Sequence, residues 1–437
     1  MKLCFSKPVV VSQGPDARFA GWGSYQFPSI HKLDDGKLVY TFSICADSET
    51  AYGSKPGCCV STDGGRTWAQ DDPDHYKGQL GVKLPNGDVL SPWTGPSIPM
   101  EGLRLPRPLG HTTWLGHTIY AADEIDFCNH GWIFVRSNDE HPTGIHEESK
   151  VNQPFFMMRS RQGVFVPPSP RGRLRIAPDG TLWMPHYYLA GTDPKNGTYI
   201  PYLCNYLFKS TDEGRTWEMT RSLLYKPDTD VDPLAFNYEG YRENDITFAP
   251  DGSMIRLIRT NGSVIDPGPC YFTRSTDGGY TWSDPEKFDW LGVWPCLLTL
   301  KCGVTLATYG RPGIRVRATD DPACLNWNEP IENLESIREP EPYPGHTLNT
   351  ASCCYTNMVA LDDRTAALVY SDFRVKDEQG IPRKSMMYSP SALRTDFRRQ
   401  EPVVVDDTNA TLHKTSAPLC LFEQLFIYEI SPKSCIA

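Results

Sequence analysis

Acidic, basic and aromatic residues recur at matching positions of a series of predicted β-hairpins. In chain order they are Gln26, Asp47, Arg173, His186, Glu243, Arg259, Trp294, Arg311, Tyr355, Ser371 and Asp372. In an antiparallel hairpin, the start of the first strand and the end of the second strand lie at the same end of the sheet. We therefore expect these side chains to converge, and charged groups near a narrow centre must pair with each other or bind a ligand. The set predicts a ligand site; a water-filled channel with structural ion pairs is the alternative.

Six tight turns define the hairpins that would position these residues. The turns are Asp35-Gly36, Asn86-Gly87, Asp179-Gly180, Asp251-Gly252, Cys302-Gly303 and Asp362-Asp363. They interrupt short apolar segments, such as KLVYTFSI and SMIRLIRT, in the pattern of β-hairpins. No segment has a long helical period, and we expect the insertions between hairpins, such as Pro92–Thr112 and Tyr187–Tyr202, to be loops over one face. The sequence therefore predicts an all-β chain that forms a six-bladed β-propeller, in which each blade contains four antiparallel strands and starts with one of these hairpins.

An eight-residue sequence recurs between the hairpins. It reads STDGGRTW at Ser61–Trp68, STDEGRTW at Ser210–Trp217 and STDGGYTW at Ser275–Trp282, with weaker copies from Ser137 and Ala318. The octet resembles the Asp-box of sialidases and related propellers. Its serine and aspartate can bond backbone N–H groups of their own turn, and its tryptophan can fill the gap between blades. We expect the boxes to join the third strand of a blade to the outer strand and to have no catalytic role.

Two further segments resemble the catalytic segments of sialidases. CCYTNMVALDD resembles the strand that carries the nucleophilic tyrosine, which implies that Tyr355 is the nucleophile. ENDITFAPDGSMIRLIRT resembles the hairpin of the proton-accepting glutamate, which implies this role for Glu243 and a carboxylate-binding role for Arg259. A sialoside carries a carboxylate on its anomeric carbon, so an anionic nucleophile would be repelled there, whereas a neutral phenol would not.

The resemblance leaves two further assignments open. LATYGRPGIRVRATDD resembles the segment that contributes another carboxylate-binding arginine; Arg311 is the matching residue and Arg315 is the second choice. The loop SICADSETAYG offers Asp47 as the acid/base residue, and Glu49 competes with it. This residue would protonate the departing glycosidic oxygen, which requires a pKa raised by a closed, apolar site.

The chain departs from the sialidase pattern at one of the arginines that bind the substrate carboxylate. Sialidases begin the first blade with Arg-Ile-Pro, whereas this chain reads YQFPSI, with Gln26 in place of the arginine. The glutamate that usually steadies that arginine is replaced by Ser371. Candidate replacements for the missing cation are Arg173, Arg242 and His186. Each of them could equally be a surface or ion-paired residue. Trp294 is a separate candidate, for stacking on a sugar ring.

The resemblance implies a retaining exo-glycoside hydrolase that releases a terminal sialic acid or a related acidic sugar. The missing arginine supports a second interpretation, in which Asp47, Glu243 or Asp245 form a carboxylate pair for a sugar without an anomeric carboxylate. A third interpretation is a non-catalytic carbohydrate-binding propeller, because a fold alone does not determine function. All three imply a glycan as the ligand, and none requires a cofactor.

Composition argues against several other classes of protein. The 437 residues carry a formal net charge of −10, spread along the chain, so we expect no nucleic-acid partner. The chain shows no 18-residue apolar run and no signal peptide, which predicts no membrane association and a cytoplasmic protein.

Cysteine and histidine usage gives no sign of a metal site. The 14 cysteines lack C-x-x-C spacing and the ten histidines form no paired-ligand pattern, so we expect reduced core thiols and no metal. Residues 1–437 are expected to form one propeller domain, although the tail 402–437 contains neither a box nor a hairpin. The sequence does not indicate an oligomeric state.

Overall fold

The protein is built almost entirely of β-strands, which confirms the predicted all-β class. The computed structural model describes residues 2–111, 118–121, 124–127, 129–152, 157–192, 199–261, 268–335 and 350–394. The helical segments with defined bounds are short 3₁₀ turns at Glu49–Ala51, Pro73–Tyr76 and Ala235–Asn237. None of the helices in the described ranges has the length and apolar character needed to cross a bilayer. The tail 402–437 lies outside the described residues.

Thirty strands have defined bounds. In the first half of the chain they are β1 (Lys2–Phe5), β2 (Val9–Asp16), β3 (Gln26–Lys32), β4 (Leu38–Ser43), β5 (Gly57–Ser61), β6 (Ala69–Gln70), β7 (Val82–Lys83), β8 (Val89–Pro92), β9 (Ile98–Pro99), β10 (Gly110–His111), β11 (Thr118–Ala121), β12 (Trp132–Ser137), β13 (Ile145–Asn152), β14 (Met157–Arg161), β15 (Val164–Val166), β16 (Arg175–Ile176), β17 (Leu182–Thr192) and β18 (Tyr199–Ser210). In the second half they are β19 (Thr216–Leu223), β20 (Gly240–Phe248), β21 (Met254–Asn261), β22 (Cys270–Ser275), β23 (Glu286–Asp289), β24 (Val293–Thr299), β25 (Thr305–Gly310), β26 (Ile314–Thr319), β27 (Ile331–Leu334), β28 (Asn357–Ala360), β29 (Thr365–Asp372) and β30 (Arg383–Arg394).

All six predicted turns form hairpins. They join β3 to β4, β7 to β8, β16 to β17, β20 to β21, β24 to β25 and β28 to β29. Five of the turns contain a glycine with φ between 85° and 96°, a region that only glycine adopts without strain. The sixth turn lacks glycine and closes through hydrogen bonds from the Leu361 and Asp362 N–H groups to the Thr365 carbonyl.

The hairpins extend into antiparallel sheets. Strands β3–β6 and β24–β27 form two separate four-stranded sheets. Three further runs, β7-β8-β12-β13, β16–β19 and β20–β23, are joined into one twelve-stranded sheet by short parallel contacts. In the last sheet, β28, β29 and β30 are followed by both β1 and β2, which pair with different halves of β30. The beginning of the chain therefore completes the sheet formed by residues 357–394.

The apolar core lies between neighbouring sheets. Leu297 and Ala307 of β24 and β25 pack against Ile255 and Leu257 of β21, and the other adjacent runs form similar clusters. The first sheet packs on the last, because residues of β3 and β4 share a cluster with residues of β29 and β30. Residues near the beginning and the end of the described chain therefore share one apolar core.

The octets lie between the third and fourth strands of their runs, as predicted. In the first copy, Ser61 Oγ accepts a hydrogen bond from the Gly65 N–H at 2.8 Å, and the Thr67 hydroxyl donates to Asp63 Oδ2 at 2.6 Å. The other two strong copies repeat both bonds. Trp217 stacks on Phe134 of the neighbouring run, with ring centroids 5.4 Å apart. The octets therefore act in turn formation and in packing between sheets.

A fifth sheet was not predicted. We expected residues 92–112 to form a loop, but β9 and β10 lie within this segment and join β11, β14 and β15 in a five-stranded sheet. It has a small core of its own around Tyr120, Ile125 and Phe165. Of the segment 187–202, also expected to be a loop, residues 187–192 and 199–202 extend strands β17 and β18 instead. Strands of two residues are too short to show a periodic pattern, which explains the first error.

Candidate active site

Three β-bulges shape the end of the sheets at which the predicted site residues lie. The pairing register shifts at the start of β3, β20 and β24, between Gln26 and Ser29, Tyr241 and Asn244, and Val293 and Cys296. Within these bulges, Phe27 and Trp294 have φ values of 56° and 45°. A bulge breaks the alternation of side chains along a strand and re-aims them.

The aromatic residues of these bulges pack around Tyr355. Trp294 stacks on the Tyr355 ring with centroids 4.9 Å apart and an interplanar angle of 24°. Phe27 contacts the same ring edge-on at 4.8 Å. Trp294 also contacts Tyr187 and Arg173, so its described contacts orient the tyrosine and do not identify a platform for a sugar.

Tyr355, Glu243 and Arg259 form one hydrogen-bonded group. The Tyr355 hydroxyl donates to Glu243 Oε1 at 2.6 Å, and Arg259 Nη1 donates to the two oxygens of Glu243 at 2.8 and 2.7 Å. Burial alone would raise the pKa of Glu243, but the charges of Arg259 and Arg242 and the tyrosine hydrogen bond outweigh it and bring this pKa to about 2. Burial and the Glu243 charge raise the pKa of Tyr355 well above its ordinary value. The resting pair is therefore a neutral phenol and a carboxylate.

Arg311 lies beside this group without a carboxylate partner among the described residues. Its guanidinium is buried, and Nη2 donates to the Cys353 carbonyl at 2.6 Å. It sits over the Trp22 ring at 5.2 Å and near the Tyr355 ring at 5.9 Å. Burial lowers the pKa of Arg311, and repulsion from the Arg259 charge lowers it further. A buried cation of this kind has the charge needed to bind an anion, and its Nε donor has no hydrogen-bond partner among the described residues.

Gln26 is fully buried, and neither of its amide heavy atoms has a hydrogen-bond partner among the described residues. Leaving such groups unpaired costs about 1–3 kcal/mol each, so the amide is available for a ligand. Its chain neighbour Phe27 belongs to the aromatic group around Tyr355. Ser371 is buried, and its hydroxyl lies 3.3 Å from Ser352 Oγ and 3.1 Å from Cys353 Sγ.

Asp47 is held by a neighbouring loop that the sequence did not indicate. The Trp22 indole N–H donates to Asp47 Oδ2 at 3.2 Å, and the Asp47 N–H donates to the Trp22 carbonyl, also at 3.2 Å. Between these contacts lies Gly23, with φ of 106°, where an added Cβ would come within 2.1 Å of the Asp47 nitrogen. The close approach of the two loops therefore requires glycine.

The electrostatics of Asp47 fit an acid/base residue. Burial raises the pKa of its carboxyl and the Glu49 charge adds to this, whereas Arg242 and Arg311 oppose it. The residue is nevertheless exposed to solvent, which limits the rise. Its competitor Glu49 is buried, and Arg161 Nη1 lies 3.4 Å from its carboxylate. Asp47 is thus the more accessible of the two acids.

The remaining predicted residues occupy different surroundings. Arg242 is buried, 3.8 Å from Glu239, and its charge acts on both Glu243 and Asp47. His186 lies between Trp132 and Phe208 in a sheet core, where its Nδ1 accepts a hydrogen bond from the Arg171 N–H. Arg315 pairs with Asp289 and Glu332, and Asp372 pairs with Arg374. None of the contacts described for His186 or Arg315 is to Tyr355 or Glu243.

Asp245 is fully buried in a separate ionic group. Arg173 and Arg175 both pair with it, and the Ile246 and Leu297 N–H groups donate to it at 2.9 and 2.8 Å. Arg173 also donates to the carbonyls of residues 295 and 356, so this group ties several sheets together. The described contacts of the Asp245 carboxylate are therefore structural.

Trp22 and Phe27 complete the site, and sequence reasoning did not select either of them. The only signal was their proximity in sequence to Gln26, because neither belongs to a recognisable motif. Among the described residues, no group of three or more histidine, cysteine, aspartate or glutamate side chains is placed to hold a metal ion.

Comparison with known proteins gives a structural likeness only. No protein-family model and no curated protein matches the sequence. A protein of unknown function from Dyadobacter fermentans is 19% identical, covers 90% of this chain and 100% of its own, and has a TM-score of 0.56. An α-L-arabinanase from Penicillium chrysogenum, solved with arabinobiose, is 13% identical over 88% of this chain and 98% of its own, with a TM-score of 0.47. A Hadza microbial sialidase is 14% identical over 84% of this chain and 65% of its own, with a TM-score of 0.44.

The first likeness indicates a shared fold and nothing more, because the identity is low. The other two TM-scores lie below 0.5 and support no conclusion about activity. The structural neighbours of this chain therefore include glycoside hydrolases at low identity, and the chemistry of the site must be argued from its own residues.

Proposed function

We propose that this protein is a retaining exo-glycoside hydrolase that releases a terminal sialic acid or a related acidic sugar through Tyr355. The observation that carries the proposal is the 2.6 Å hydrogen bond from the Tyr355 hydroxyl to Glu243, next to the buried Arg311, which has no carboxylate partner among the described residues. A neutral nucleophile beside such a cation suits a substrate with a carboxylate at the reacting carbon. The six hairpin-led runs of strands are proposed to be the blades of a six-bladed propeller around this site.

Each proposed step is assigned to a named residue. The Tyr355 oxygen attacks the anomeric carbon, its proton passes to Glu243, and the glycosidic C–O bond breaks as Asp47 protonates the leaving oxygen. In the second step Asp47 takes a proton from water, the water oxygen displaces the tyrosine, and Glu243 returns the proton to the phenol oxygen. Two inversions at the anomeric carbon give net retention.

The low pKa of Glu243 makes it a weak base in the free protein, since Arg259 neutralises much of its charge. A substrate carboxylate that approaches Arg259 and Arg311 would offset their positive field. The pKa of Glu243 would then rise, and the glutamate would accept the phenol proton more readily as the bond to carbon forms. Substrate binding and nucleophile activation are thereby coupled.

Turnover by Tyr355→Phe tests the proposal. We expect the variant to lose more than about a thousandfold in kcat on a 4-nitrophenyl sialoside and to bind free sialic acid within about threefold of the wild type. Tyr388→Phe, which removes a hydrogen bond to the Gly64 carbonyl in an octet turn, is the matched control and should retain activity. Proton NMR of the first product should show the α-anomer. Full activity of Tyr355→Phe would refute the nucleophile assignment, and no release by the wild type from any acidic glycoside would refute the function.

A further inference from the structure

The unpredicted five-stranded sheet reaches the loop that carries Asp47. We call residues 45–53 the acid loop. The Ser48 hydroxyl donates to Gln162 Oε1 of the β14–β15 turn at 2.8 Å. The Ser97 hydroxyl donates to the Glu49 carbonyl at 2.5 Å. The backbones also touch, because a Cβ added at Gly53 would lie 3.0 Å from the nitrogen of Pro96.

An ion pair reinforces this contact. Arg161 Nη1, at the end of β14, lies 3.5 and 3.4 Å from the two carboxylate oxygens of Glu49. Glu49 is 4% exposed and Arg161 retains 26% of its side-chain exposure. Removal of one partner from a buried ion pair is destabilising, which favours displacement of the loop.

The opposite side of the acid loop is fixed by different residues. Trp22 bonds Asp47 through both its indole and its backbone, and Gly23 allows the two loops to touch. Asp47 thus lies between a loop of the first sheet and the point where the five-stranded sheet is anchored. The charged groups that act on it are Glu49 in its own loop, Arg242 of β20 and Arg311 after β25.

We propose that the five-stranded sheet, through Arg161 and Glu49, positions Asp47 for proton transfer to the leaving group. This inference rests on the proposed glycosidase function. Arg161 is a positioning residue, because its described ionic partner is Glu49 and not a reacting group. The effect of misplaced proton delivery depends on the aglycone: a poor leaving group needs the proton in the transition state, whereas an activated phenolate departs largely without it.

Leaving-group dependence tests the inference. We expect Arg161→Gln to lower kcat/KM for sialyl-lactose by about 10- to 100-fold and for a 4-nitrophenyl sialoside by less than about threefold. Arg161→Lys, which keeps a cation opposite Glu49, should recover most of the loss. Lys55→Gln is the control, because Lys55 follows the acid loop and its ion pairs among the described residues are with the surface acids Asp72 and Asp74. Equal losses on the two substrates, or no loss on either, would overturn the inference.

A second measurement does not require turnover. Amide hydrogen exchange across residues 45–53 should be faster in Arg161→Gln than in the wild type and should return toward wild-type rates in Arg161→Lys. Unchanged exchange in Arg161→Gln would overturn the positioning role. If the wild type cleaved neither substrate, the proposed function would fail, and hydrogen exchange would still decide whether the sheet fixes the acid loop.

Discussion

Replacing Glu243 by glutamine should remove a defined part of the decrease in the free energy of unfolding at low pH. The side chain is 3% exposed, and its pKa in the folded protein is about 2, against an ordinary value of 4.5. The difference corresponds to about 3 kcal/mol in favour of the folded state. Because the folded pKa is the lower one, this stabilisation is fully present above the ordinary pKa and is lost as the pH falls from there toward 2. About 2 kcal/mol of it should be gone at pH 3.

Urea unfolding followed by tryptophan fluorescence, under reducing conditions between pH 7 and pH 3, measures this contribution. The difference in the free energy of unfolding between wild type and Glu243→Gln should shrink by about 2 kcal/mol over that range. Glu332→Gln is the control, because Glu332 is 45% exposed and lies 3.6 Å from Arg315. A surface pair of this kind contributes about 0–1 kcal/mol, so its difference should change little.

A difference that stays constant with pH would refute the claim that Glu243 is held ionised by its neighbours. The double variant Arg259→Met/Glu243→Gln gives an independent check, because it removes the buried pair together. It should be more stable than Arg259→Met alone, because that single variant leaves the buried Glu243 carboxylate without the cation that bonds it.

Two further predictions concern ligand recognition. Arg311→Met should weaken binding of free sialic acid, measured by calorimetry, by about 2–3 kcal/mol, and it should not lower the free energy of unfolding, because the buried cation has no carboxylate partner among the described residues. Unchanged affinity would remove Arg311 from the site. Gln26→Leu should leave the stability of the free protein unchanged or raise it by up to about 1 kcal/mol, while affinity falls about tenfold, since the amide lacks partners until a ligand binds. A destabilised variant with normal affinity would show that Gln26 has a purely structural role.

The sequence predicted the hairpins because turn chemistry is local. A glycine with positive φ follows directly from an Asp-Gly or Asn-Gly pair, so four of the six turns needed no tertiary information, and Cys302-Gly303 adds a fifth turn with such a glycine. The octets could also be identified from the sequence, because Ser61, Asp63 and Thr67 form hydrogen bonds within their own turn. The fold class was therefore predictable from short-range signals.

The site was predictable only in part, because the register of a strand indicates the end at which a residue lies but not the direction of its side chain. The Tyr355 and Glu243 side chains meet, yet His186, chosen by the same reasoning, points into a core between Trp132 and Phe208. The bulges that re-aim side chains have no sequence signature here, since Phe27 adopts a positive φ without glycine.

The pairing of β1 and β2 with β30 has a consequence for synthesis. The Ser6 carbonyl accepts a hydrogen bond from Ser389, 383 residues further along the chain. At about 5–20 residues per second, a ribosome needs roughly 20–80 s to make the residues between these partners. During that time the edges of β1 and β2 lack their partner strand, and an unpaired edge is a template for pairing with another chain. The last sheet can be completed only after translation of residues 383–394, so slow elongation and crowded polysomes should favour misassembly, and chaperones that cover strand edges should raise the yield.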